Sequence, residues 1–211
     1  MKKVILIEDR VFRQEKHLGQ GLLTELQGFK NLRNVAGGEE FTRIKENLMT
    51  DDFSVIDEYD VLFIHRSAFD ADIRNKIIAI IGETEKILVF FSGGVTGCSF
   101  TSINDAQLLI INVGLFYSKN LFLFLENDCS NILELGFGDD WRLSVLLDAY
   151  ERLSFYITTY DSPKPFIKIE SDIEMNSWVR SKYFSEMDGL ISLDHLRSVS
   201  KSMLSNINEM L

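Results

Sequence analysis

The chain has 211 residues, 45% of them hydrophobic and sixteen of them phenylalanine, so there is ample apolar material for a core. It carries 22 basic and 32 acidic side chains for a formal net charge of −10. That surface repels phosphate backbones and anionic lipid, whose binding relies on clustered Lys and Arg, so neither nucleic acid nor membrane is an expected partner.

Val4–Ile7 is a continuous β-branched and leucine run, the pattern of a strand buried on both faces. Helical spacing of Leu18, Leu22, Leu26 and Phe29 predicts a helix over Phe12–Leu26. Arg33–Ala36 is a weak second strand closed by Gly37-Gly38, and Phe41, Ile44 and Leu48 place a short helix over Glu40–Leu48. Val61–Ile64 is the clearest internal strand. A helix from Asp70 to Ile81 follows, with Ile73, Ile77 and Ile81 four apart and Gly82 as its stop signal. Ile87–Phe91 and Gln107–Val113 are further strands, whereas Asn120–Leu125 is apolar without a decisive period. Strand and helix alternate with short connections, which predicts a parallel sheet covered by helices on both faces. Between Gly93 and Asp105 the helical period is absent, so the helix expected there is shortened or missing.

The pattern changes at Asp128, which sets the domains at 1–127 (α/β) and 128–211 (mainly α-helical). Asp139-Asp140 precede a helix over Trp141–Tyr160 whose apolar stripe is Leu146, Tyr150, Leu153 and Ile157. Asp161–Ile169 contains both prolines and is an extended link; Met175–Phe184 is helical; Ser192 caps a last helix with Leu196, Val199, Met203, Ile207 and Met210 on one stripe. A helical segment of this size has little core of its own. Trp141, Tyr150, Trp178, Leu196 and Met203 are therefore the candidates for contact with a protein partner or a second copy, with packing inside the chain as the alternative.

Several of these residues carry a resemblance. Val4-Ile5-Leu6-Ile7-Glu8-Asp9-Arg10 resembles the first strand of response-regulator receiver domains, Asp60-Val61-Leu62-Phe63-Ile64 the third, and Phe90-Phe91-Ser92 the fourth. Ser118-Lys119-Asn120 is a loose match to the fifth-strand lysine. The resemblance covers about 60% of the chain and implies a flavodoxin- or receiver-like three-layer domain. It also implies Mg²⁺ at Glu8 and Asp9, and phosphoryl contacts from Ser92 and Lys119. The departure is at the phosphoacceptor. Where the family places its aspartate this chain has His65, followed by Arg66, and no proline follows Lys119. Imidazole cannot form an acyl phosphate and hold Mg²⁺ as a carboxylate does. The resemblance thus implies a degenerate pseudo-receiver of the kind used as protein-binding adaptors, including in bacterial defence and signalling systems.

Glu8 and Asp9 have two readings: metal-binding carboxylates at a strand end, or charges stabilising the start of the following helix. Asp60 is excluded as their partner, because it precedes a four-residue strand and so lies about 13 Å away at the opposite edge. His65 is a general base or ligand beside them, or a structural histidine. His17 and His195 lie at polar helical positions and are expected in solvent. Ser92-Gly93-Gly94-Val95-Thr96-Gly97 has the glycines of a phosphate loop without its Gly-Lys-Ser/Thr ending, and reads as a flexible connection. Cys98 and Cys129 are too few and too far apart for a disulfide framework. With no long apolar run at the N-terminus, a cytoplasmic protein is expected. The leading expectation is a non-enzymatic adaptor; the alternative is a metal- or phospho-ligand sensor or enzyme using Glu8, Asp9, His65 and Ser92.

Overall fold

The structure, a computed structural model, describes residues 1–103, 106–159, 166–167, 177–185 and 190–211. It divides into two compact units, Met1–Gly138 and Asp139–Leu211.

The first unit is built on six strands: β1 (Val4–Glu8), β2 (Leu32–Ala36), β3 (Val61–His65), β4 (Ile87–Ser92), β5 (Cys98–Ile103) and β6 (Ala106–Asn112). Their order is β2-β1-β3-β4-β6-β5. All neighbours are parallel except β5, which pairs antiparallel with β6 and forms one edge. The apolar runs behave as parallel strands must: every residue of β1 and β3 is buried, because helices cover both faces.

On one face, Ile5, Ile7, Leu62, Ile64, Leu88 and Phe90 pack with Ile44 and Leu48 of α2 (Gly38–Met49), Ile56 of α3 (Ser54–Asp57) and Ile73, Ile77 and Ile81 of α4 (Ala71–Ile81). On the other, Phe63 and Phe91 meet Phe116 of α5 (Val113–Phe116), and Phe63 also meets Phe124 of α6 (Lys119–Glu126). Aromatic pairs of this kind add about 0.5–1.5 kcal/mol each beyond the burial of their area. The result is a three-layer α/β unit with a mostly parallel sheet.

Local signals explain most boundaries. Asp70 caps α4 by accepting the Ile73 N–H at 2.9 Å. The helix after β1, α1 (Val11–Gln27), begins and ends within a residue of its expected limits, yet it is broken at Gly19, where φ is +67°. An L side chain adopts that conformation only at a cost, so the glycine is where the chain departs from the helix. The ambiguous apolar segment is helix α6. The helix missing between Gly93 and Asp105 is replaced by strand β5. Its pairing with β6 supplies the edge that a crossover helix would otherwise connect.

Residues 128–138 fold with the first unit. Lys2 donates its backbone N–H to Asp128 (2.7 Å) and its ammonium to the Cys129 carbonyl (3.1 Å). Helix α7 (Ile132–Phe137) lies against β5 and β6.

The second unit contains α8 (Trp141–Thr159), α9 (Ser177–Phe184) and α10 (Leu193–Met210), and a two-stranded sheet of β7 (Phe166–Ile167) and β8 (Ile191–Ser192). Ser192 caps α10 by accepting the His195 N–H. The stripe Leu196, Val199, Met203 and Ile207 is buried where α10 packs on α8, whose own buried side is Val145, Leu146, Ala149, Leu153 and Tyr156. Tyr160, most of the Asp161–Ile169 link, and Met175 and Asn176 of the expected Met175–Phe184 helix lie outside the described residues. Among the described residues, no helix is long and apolar enough to cross a membrane.

Candidate functional site

Parallel register brings the carboxyl ends of the central strands to one rim. Ile7 pairs with Ile64, so Glu8 stands level with His65; His65 pairs with Phe91, and Ser92 lies one residue further on β4. At the opposite edge, Asp60 accepts the backbone N–H of Lys3 at 2.7 Å. The turn after β2 closes the rim on its other side. Gly37 donates to the Glu8 carbonyl at 2.8 Å with φ +59°, and a Cβ there would press on Val11.

The rim joins Glu8, Asp9 and His65 with four residues that the sequence reading did not single out: Arg13, Gln14, Ser67 and Tyr117. Arg13, in the first turn of α1, is the organising charge. Its Nη1 donates to Glu8 Oε1 at 2.5 Å and to Asp9 Oδ1 at 2.8 Å. Glu8 is fully buried, and its Oε2 also accepts the Tyr117 hydroxyl at 3.2 Å. The Ser67 hydroxyl lies 2.9 Å from Asp9 Oδ1 and 2.7 Å from His65 Nδ1. Because Nδ1 accepts the Ser67 backbone N–H at 3.1 Å, the hydrogen bonding assigns the proton of the neutral ring to Nε2. Alongside, the buried Gln14 and the part-exposed Asn34 exchange paired amide hydrogen bonds at 2.8 and 2.9 Å, tying α1 to β2. His17 is not in open solvent: it is half-buried and stacks on Tyr117.

Electrostatics follow from this crowding. Burial, joined by a hydrogen bond with Asp9, pushes the Glu8 carboxyl up to about 8 against the pull of Arg13. Burial acts on Asp9 in the same direction, but hydrogen bonds from Glu8 and Ser67 and the Arg13 charge outweigh it and hold Asp9 below the usual carboxylate range. His65 is pushed down to about 4, by burial first and then by Arg13. Burial thus favours the protonated form of Glu8 and the neutral form of His65, while the Asp9 carboxylate faces the Arg13 guanidinium.

Does this rim fit the Mg²⁺ that the receiver resemblance implies? Glu8, Asp9 and His65 each offer a ligand atom, all within 4.8 Å of one another. Mg²⁺, however, takes oxygen ligands in near-octahedral geometry at about 2.0–2.1 Å, and the third member here is a nitrogen that already accepts hydrogen bonds. The guanidinium nitrogen also contacts both carboxylates directly, and one of those carboxyls holds its proton. The residues do not fit the ion. Nor do Glu8 and Asp9 cap the next helix: Arg10 occupies the N-cap of α1, with no side-chain cap.

The other sequence candidates do not join the cluster. The Ser92 hydroxyl accepts the Gly94 N–H at 3.2 Å, closing its own turn. The glycine-rich connection is pinned as well, since Asn112 donates through Nδ2 to the Val95 carbonyl at 2.7 Å and through its backbone N–H to the Gly97 carbonyl at 2.8 Å. Lys119 is exposed at the first position of α6, beyond the end of β6 and the whole of α5. Burial pushes the thiols of Cys98 and Cys129 up to about 12, which leaves them unreactive. In the second unit, Trp141, Leu196 and Met203 are buried, with Trp141 edge-on to Trp178, and Tyr150 and Trp178 are half-covered. His195 is exposed, as expected.

Comparison with family models, with curated proteins and with solved structures finds no match for this chain. The chemistry of the rim is therefore read from its own residues.

Proposed function

We propose that this chain is a non-enzymatic signalling or adaptor protein whose first unit is a degenerate, flavodoxin- or receiver-like domain. It acts by binding a protein partner or a second copy of itself, in the cytoplasm and in a setting such as a bacterial defence or signalling system. The parallel strand order β2-β1-β3-β4-β6 agrees with the flavodoxin-like order, with β5 added at the edge.

One observation carries the reading: Glu8, Asp9 and His65 Nδ1 each already have hydrogen-bond partners within the chain. Arg13 holds both carboxylates, and His65, standing where a phosphoacceptor would be, is neutral and hydrogen-bonded to Ser67. Among the described residues no buried side-chain nitrogen or oxygen lacks a partner. Arg13 and Ser67 thus occupy the carboxyl oxygens and the imidazole acceptor that a substrate or ion would otherwise meet. Beside it, Val11 and Phe12 are 65% and 61% exposed, apolar surface that a protein partner would cover.

Two measurements test the proposal. Incubation with radiolabelled acetyl phosphate and Mg²⁺ leaves the protein unlabelled; a hydroxylamine-labile label would show a working phosphoacceptor and sink the reading. A stoichiometric companion, or a second copy, is retained in purification from the native host and is lost in Phe12→Glu with the fold intact. A monomer with no companion and measurable turnover would also overturn it.

A further inference from the structure

The position of Arg13 says more than that a metal ion is excluded. Its Nη1 touches Glu8 Oε1 and Asp9 Oδ1, two of the three ligand atoms that otherwise form a divalent-cation cluster, and lies 3.4 Å from Ser67 Oγ. The side chain is largely buried and is reached from the first turn of α1, four residues beyond Asp9, so backbone geometry holds it there. The buried Glu8 carboxyl and the part-exposed Asp9 carboxylate beside it are thus bridged by one cationic nitrogen. A dissociable ion could make that bridge only when bound, whereas a tethered guanidinium makes it always.

We infer that Arg13 is a built-in substitute for a divalent cation, which bridges Glu8 and Asp9 without any exchangeable ion, and that beneath it lies a latent metal site. Removing the guanidinium frees an oxygen of each carboxyl, in a group where a carboxyl oxygen of Glu8, one of Asp9 and a His65 ring nitrogen lie within 4.8 Å of one another. Mixed carboxylate and imidazole donors suit Mn²⁺ better than Mg²⁺. The inference rests on the same rim as the adaptor reading, but it concerns the rim's internal chemistry alone.

The test titrates Mn²⁺ into the full chain at pH 7.5 and follows the free-ion signal by electron paramagnetic resonance. Wild type and Arg13→Lys, which keeps a charge in place, leave the signal unchanged apart from weak binding that Asp9→Asn does not alter. Arg13→Ala binds one Mn²⁺ saturably, about ten-fold or more tighter than wild type, and stabilises with the logarithm of free ion concentration. The double variant Arg13→Ala/Asp9→Asn loses this binding. Should Arg13→Ala fail to fold by itself, Mn²⁺ restores its melting transition and sodium chloride of equal ionic strength does not. Two results overturn the inference: saturable Mn²⁺ binding by wild type that Asp9→Asn abolishes, or an Arg13→Ala chain that neither binds Mn²⁺ nor regains its melt. Either leaves the adaptor reading standing, since phosphoryl labelling and partner retention do not involve Mn²⁺.

Discussion

Replacing Glu8 with Gln should remove most of the pH dependence of the first unit's stability above neutrality. In the folded chain the Glu8 carboxyl is raised from its ordinary 4.5 to about 8. At about 1.4 kcal/mol per pH unit this corresponds to about 5 kcal/mol. A raised carboxyl makes the folded state bind the extra proton, so its stabilisation is complete below pH 4.5 and lost as pH rises through 8. His65 acts with the opposite sign. Lowered from 6.5 to about 4, it contributes stability that is present above pH 6.5 and lost as pH falls through 4. Between pH 4.5 and 6.5 the two slopes nearly cancel. Above pH 6.5 Glu8 alone of these two still titrates, and its part of the stability falls by about 2 kcal/mol between pH 6.5 and 9. Glutamine keeps an oxygen for Arg13 and cannot ionise, so Glu8→Gln loses that alkaline decline. Urea denaturation at fixed ionic strength, followed by circular dichroism, reads the effect. Fluorescence serves as an internal control, because the two tryptophans, Trp141 and Trp178, lie in the second unit. An unchanged alkaline slope in Glu8→Gln, or a wild type that gains stability from pH 6.5 to 8.5, would refute the argument.

Further expectations concern packing and reactivity. Phe63→Ala removes a fully buried ring that meets Phe116 and Phe124, and should cost the first unit about 3–5 kcal/mol in the same urea experiment. Gln14→Ala leaves the Asn34 amide without its paired partner and should cost about 1–3 kcal/mol; the double change to Ala and Val, respectively, recovers part of that loss. Met203→Ala empties a buried position on α10 and should lower the fluorescence-detected transition by about 2–5 kcal/mol. Finally, Ellman's reagent at pH 8 should find both cysteines slow to react in the folded chain and fast in urea, because burial holds their thiols at about 12. Rapid native-state labelling at either position would contradict the burial that raises them.

Some of this molecule was legible along the chain. Apolar runs such as Val4–Ile7 and Val61–Ile64 read directly as doubly buried parallel strands, and the four-residue spacing of Ile73, Ile77 and Ile81, closed by Gly82, gave α4. The gathering of Glu8, Asp9 and His65 at one edge followed from strand polarity alone. Other features were not legible. Strand β5 escaped because Cys98–Ile103 mixes polar and apolar residues at an edge, where one side needs no burial. The break at Gly19 escaped because a single glycine inside a helical period has no distinctive signature. Arg13 had one weak signal, its place four residues after Asp9 on a helix, the spacing of an ion pair.

The sequence by itself determined the alternation of elements, the burial of the central strands and the presence of an imidazole, His65, at the end of the third. These are local matters of periodicity and residue chemistry. Only the tertiary structure decided that the rim is closed, because Tyr117 reaches Glu8 from 109 residues away and Ser67 reaches Asp9 from 58. Whether a buried carboxyl keeps its proton, takes a metal or faces an arginine depends on which groups stand within a few ångströms of it in space, and spacing along the chain carries no record of those neighbours.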